Sequence, residues 1–216
     1  MENQTIDAKL LFAKNVLLNA VSVEAIAQIM SAYGFTEEVL TEAQSLYDQA
    51  EDLQQQQKLE YGEQYAATTA LNLAKANANR KYMKYVKLSR VIFKNDRGKF
   101  EALQLVGDRK QSLSGWIQQA KTFYTNALAD ESILDPLENL SVQSQDFEAA
   151  LTELSDIEAL LAAQHKEKGE AQAITVARDQ AFDQLQEWIS DYIAIARVAL
   201  EQDPQLLEVL GIVEPS

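Results

Sequence analysis

The chain has 216 residues, 47% of them hydrophobic, with 7 Gly, 3 Pro, no Cys and a net charge of −14. Without cysteine there are no disulfides, thiolate metal sites or Cys nucleophiles, and the acidic balance argues against general binding to nucleic acid or an anionic membrane. No run approaches the roughly 18–20 apolar residues that cross a bilayer, and the N-terminal MENQTIDAKLLFAKN lacks a basic region and a signal core; a soluble, cytoplasmic protein is expected. Abundant Ala, Leu, Gln and Glu with few breakers favour helix, so the predicted class is all-α.

Sliding the sequence along itself by 107 residues pairs 1–107 with 108–214 and gives 25 identities without a gap. Gly62/Gly169, Tyr85/Tyr192, Arg90/Arg197 and Asp96/Asp203 are among them. A period this long points to two tandem copies, 1–107 and 108–216, each reading as the same run of helices.

The first helix of each copy is predicted at about 5–20 and 112–127, opened by Thr5 or Ser112. The second lies at about 22–33 and 130–140; Ser22 and Asp130 are its expected starts, and Pro136 shortens or distorts the second copy's version. Gly34 suits a left-handed stop. The third runs at about 36–57 and 144–164, with the apolar stripe Leu40, Ala43, Tyr47, Ala50, Leu53 and its counterpart Phe147, Ala150, Leu154, Ile157, Leu160.

Gly62 and Gly169 are then expected to reverse the chain into a helical hairpin. The competing reading is one helix of about 60 residues in which Gly is merely tolerated. The fourth helix is predicted at about 63–95 and 170–202, and a short fifth at about 98–105 and 204–210, where Asp203 caps, Pro204 takes the first turn and Gly211 closes. The junction Gln104–Asp108 is short and partly apolar, unlike a flexible linker. The expected fold is therefore a helical bundle of two hairpin units, related by an approximate two-fold and packed as one domain.

Charge divides unevenly: 12 basic and 13 acidic residues in 1–107, against 7 and 20 in 108–216. Nine cations stand between 75 and 99, with Tyr82, Tyr85 and Phe93 interleaved. A nucleic-acid surface would look like this, but the aromatics fall on the helical stripe, so core packing explains them first. At the matching positions of copy two, Arg80 answers to Glu187, Lys84 to Asp191 and Lys94 to Glu201. Pairing between the copies, a solvated surface and a site for an acidic partner all fit this pattern.

Tyr85/Tyr192, Arg90/Arg197 and Asp96/Asp203 recur as candidates for a binding constellation. The structural alternative has Tyr filling the stripe, Arg complementing the negative helix end and Asp capping the short helix. Glu63 and Glu170 suit a positive helix end after Gly. Gln54–Gln57 reads as an exposed helix face.

Chemistry is sparse. Carboxylate-bridged metal bundles need two Glu-x-x-His pairs, and the one histidine, His165, reads as a solvated turn residue. Triads and phosphate-binding Gly loops are missing. The expectation is a non-enzyme without metal or cofactor: a helical scaffold that binds another protein, neither nucleic acid nor membrane, with a homo-oligomer left open. A small-ligand sensor with a pocket between the copies is the alternative.

Overall fold

The structure, a computed structural model, describes residues 5–212. Among them are eight helices and no strand: α1 (Ile6–Ser22), α2 (Glu24–Ala32), α3 (Glu37–Ile92), α4 (Arg97–Ala102), α5 (Leu113–Leu128), α6 (Glu131–Glu138), α7 (Ser144–Ala199) and α8 (Pro204–Val209). The class is all-α. No single helix in the described residues is long and apolar enough to cross a membrane.

The hairpins do not form. Residues 36–57 and 63–95 merge into α3, residues 144–164 and 170–202 into α7, and each merged helix is 56 residues long. Gly62 and Gly169 lie inside these helices, exposed and outside the left-handed region, so neither turns the chain. The energetics explain why: one helical Gly costs about 1 kcal/mol relative to Ala, while both flanks of each Gly bury an apolar face. Glu63 and Glu170 consequently sit mid-helix, away from any helix end, and His165 is an exposed residue of α7 instead of a turn residue.

The chain divides into two compact units, and the division does not follow the repeat. Unit 1 holds residues up to Gly62 and those from Gly169 onward, whereas unit 2 holds Glu63–Lys168. Each unit thus takes the front of one long helix and the back of the other.

In unit 1 the stripe Leu40, Ala43, Tyr47, Ala50 of α3 shares a core with Ala181, Leu185, Ile189, Tyr192 and Ala196 of α7, beneath α1 and α2. In unit 2, Tyr82, Tyr85 and Val86 of α3 share one with Phe147, Leu154 and Ile157 of α7 and with Trp116, Phe123 and Tyr124 of α5. Side-chain bonds follow the same reciprocal rule. Asn19 of α1 donates to the Val209 carbonyl of α8 at 2.6 Å, and Asn126 of α5 donates to the Ala102 carbonyl of α4 at 2.7 Å.

Helix ends show which local signals acted. Thr5 and Ser112 accept from the amides of Ala8 and Gly115, Asp130 from Ser132 and Asp96 from Lys99. Ser22, expected to open α2, instead ends α1; Val23 stands at the α2 N-cap without a side-chain bond. Asp203 occupies the α8 N-cap, also without a side-chain bond. Left-handed residues follow α2 and α6 (Gly34, φ 96°; Ser141, φ 62°) and α4 and α8 (Gln104, φ 49°; Gly211, φ 77°). These too stand 107 positions apart.

Tyr192 is fully buried, packed at 5.3 Å on Trp188 and at 4.8 Å on Phe35, and its hydroxyl finds no hydrogen-bond partner. Burial pushes this phenol up to about 12 from an ordinary value of 10 and raises Tyr82 and Tyr124 as well. The raised folded-state values set the sign. Their contribution to stability is complete below pH 10 and is lost as pH climbs through the folded-state values, because ionisation then favours the unfolded chain. Alkaline titration followed at the tyrosinate absorbance should therefore show these phenols ionising together with unfolding. Tyr192→Phe, which removes an unpartnered buried hydroxyl, should stabilise the protein by roughly 1 kcal/mol. A destabilised variant would contradict this reading of the site.

Candidate interaction surface

Partition by unit sharpens the charge asymmetry. Unit 2 holds 14 basic and 14 acidic residues; unit 1 holds 5 and 19, the whole net charge of the chain. Nine of the fourteen cations of unit 2 stand between Lys75 and Lys99, on the back of α3, the turn after it and α4. Tyr82, Tyr85 and Phe93, interleaved among them, are at most 7% exposed, so no base could stack on these rings.

Several of the cations are committed inside unit 2. Lys81 pairs with Glu153 of α7, whose carboxylate holds the ammonium above its usual range. Lys99 donates to the Ser132 carbonyl at 3.0 Å and lies 5.4 Å over the Phe93 ring. Arg90 stands in the last turn of α3, as expected, and also donates to the carbonyls of Leu105 (2.9 Å) and Gly107 (3.0 Å) in the segment 104–108. Arg109 completes this clamp, donating to the Gln104 carbonyl at 2.7 Å and the Tyr82 hydroxyl at 2.9 Å. Two guanidinium forks thereby order a segment in which Leu105 is 1% exposed.

A ridge follows the same helix, with Arg80 donating to Asn77 and Lys84 lying 5.8 Å over the Tyr85 ring. Arg80, Lys84 and Lys87 are exposed at helical spacing along α3, Val91 follows at 70% exposure, and Lys94 stands in the turn beyond. Beside the ridge, Met83 and Leu88 help to line a groove of ≈ 570 Å³. Arg80 also borders a second groove of ≈ 510 Å³, where Asn77 and Lys81 face Glu153 and Asp156.

Glu187, Asp191 and Glu201 are exposed on α7 and the turn after it, in unit 1, whereas Arg80, Lys84 and Lys94 belong to unit 2. Tyr85 and Tyr192 fill the cores of different units, Asp96 and Asp203 stand at the starts of α4 and α8, Arg90 holds the junction and Arg197 is exposed.

The sequence reading missed two side chains. Gln54, expected on an exposed face, is 8% exposed; it donates to Asp7 at 3.1 Å and accepts from Arg178 at 3.5 Å, joining α1, α3 and α7 in unit 1. Asp7, also bound by Lys58, is held below its usual carboxylate range, first by the Gln54 bond. Arg109 was missed because its counterpart in the first copy is Glu2, so the repeat gave no signal there.

No protein-family model, curated protein or solved structure matches this chain.

Proposed function

We propose that the chain is a non-enzymatic helical scaffold, descended from a tandem duplication, that binds another protein through an exposed helix face. The ridge on the back of α3 carries this reading. Its cations and Val91 are exposed in one line, and the equivalent positions on α7 hold Glu187, Asp191, Ala194 and Val198. Since the same helix tolerates either sign there, packing demands neither. A cationic ridge with an apolar element suits an acidic protein surface.

The common ancestry is supported by the offset of 107 residues that relates α3 to α7, α4 to α8, and the Asn19 bond to the Asn126 bond. Cross-linking of the full chain in an extract of its native cell tests the interaction. A partner held by the wild type and released from the Arg80→Glu/Lys84→Glu variant, at unchanged thermal midpoint, is the expected result. Equal capture by both proteins would overturn it.

A second reading, a small-ligand sensor with a pocket between the copies, is favoured by the ≈ 510 Å³ groove, which takes Asn77 and Lys81 from copy one and Glu153 and Asp156 from copy two. Its charged lining already pairs internally through Lys81 and Glu153, which weakens the case for a charged ligand. A saturable rise in thermal midpoint with small zwitterions or diamines, lost in Glu153→Ala, would favour the sensor.

A further inference from the structure

We propose that the protein self-associates, the basic ridge of unit 2 in one copy seating on the acidic ridge of unit 1 in a second copy. The inference rests on the interaction reading above and names its partner.

Three observations carry it. The two ridges lie on equivalent stretches of α3 and α7, so they share spacing while opposing each other in sign: Arg80 with Glu187, Lys84 with Asp191, Lys94 with Glu201. Each ridge also exposes a valine at the same level, Val91 at 70% and Val198 at 66%, which gives the contact an apolar element near one end. Finally, unit 2 is neutral as a whole while unit 1 carries the entire net charge of −14, so seating unit 2 on unit 1 sets no like net charges against each other at the contact, although the two chains as wholes repel.

A foreign acidic protein would answer the charge alone. A second copy answers charge, spacing and the position of the apolar contact together. Exposed ion pairs are individually weak and are screened by salt. The association is therefore modest in affinity and salt-labile, with a fast exchange between free and associated chains.

Sedimentation velocity on the full chain tests this. At about 0.01 M salt, where the Debye length is about 30 Å, the wild type should sediment above the monomer, and at about 1 M salt as the monomer. Arg80→Glu/Lys84→Glu and Glu187→Arg/Asp191→Lys should each associate at least roughly tenfold more weakly. Mixed together, the two variants should associate again, because one now presents two acidic ridges and the other two basic ones. That rescue rules out misfolding as the cause of the individual losses. A wild type that stays monomeric at low salt, variants that associate like the wild type, or a mixture that stays monomeric would each overturn the inference. A monomeric wild type that still loses a foreign partner on Arg80→Glu/Lys84→Glu would sink self-association and leave the broader interaction reading standing.

Discussion

Gly62→Pro is expected to destabilise the protein by about 3 kcal/mol or more, a fall in thermal midpoint of roughly 6–12 °C for a chain of this size. Gly62 is an interior residue of α3; proline there deletes the amide bond to the Lys58 carbonyl and drives its ring against that same carbonyl. The opposite outcome is expected of alanine. A Cβ added at Gly62 or Gly169 meets nothing within 4 Å, so Gly62→Ala and Gly169→Ala should each stabilise by up to about 1 kcal/mol. The pair discriminates sharply. At a left-handed reversal alanine would be strained and destabilising, so a loss of stability in Gly62→Ala would contradict the continuous helix.

Phe147→Ala is expected to cost roughly 3–5 kcal/mol. Phe147 is 0% exposed, with ring centroids 5.2 Å from Tyr85, 5.4 Å from Tyr124 and 6.0 Å from Phe123. Alanine leaves a cavity among rings that are themselves held by neighbours and cannot collapse into it. The contact with Tyr85 is the informative one, because Tyr85 lies on α3 and Phe147 on α7. A double-mutant cycle of Phe147→Leu with Tyr85→Leu should give a coupling of about 0.5–1.5 kcal/mol. Additive effects would mean that unit 2 does not draw its core from both α3 and α7.

Helix content, the apolar stripes and most caps were legible in the sequence because they depend on local spacing and on one or two side chains. Thr5, Ser112 and Asp130 act as their positions foretold. Continuity through Gly62 and Gly169 was not legible. A local signal worth about 1 kcal/mol competes there with burial on both flanks, and only the folded chain shows where that burial takes place. Which helix halves share a core stayed hidden for a related reason: the stripes at 36–57 and 144–164 have the same helical spacing, so spacing alone does not choose their partners. The side chains of Asn19 and Asn126 were visible as an identity, but their carbonyl partners on α8 and α4 lie far off in sequence.

Of the candidate site, the alternating signs at 80/187, 84/191 and 94/201 could be read from the chain. Which cations are held by other elements could not, since that depends on Glu153, Ser132 and the Leu105 carbonyl, which bind Lys81, Lys99 and Arg90. Gln54 shows the converse. A glutamine in a polar tract is buried because Asp7 and Arg178, from two other helices, satisfy both ends of its amide.

Two uninterrupted helices, α3 and α7, each run from one unit into the other. The chain has no cysteine, so spin labels attach only where they are introduced. Gln49 and Ala76, both exposed residues of α3, flank Gly62 and are 27 residues apart. Electron–electron distance measurement on Gln49→Cys/Ala76→Cys should give about 40 Å, the length of an unbroken helix rising about 1.5 Å per residue. A distance near about 10–15 Å, as two helices packed side by side at about 8–10 Å would place the labels, would contradict it.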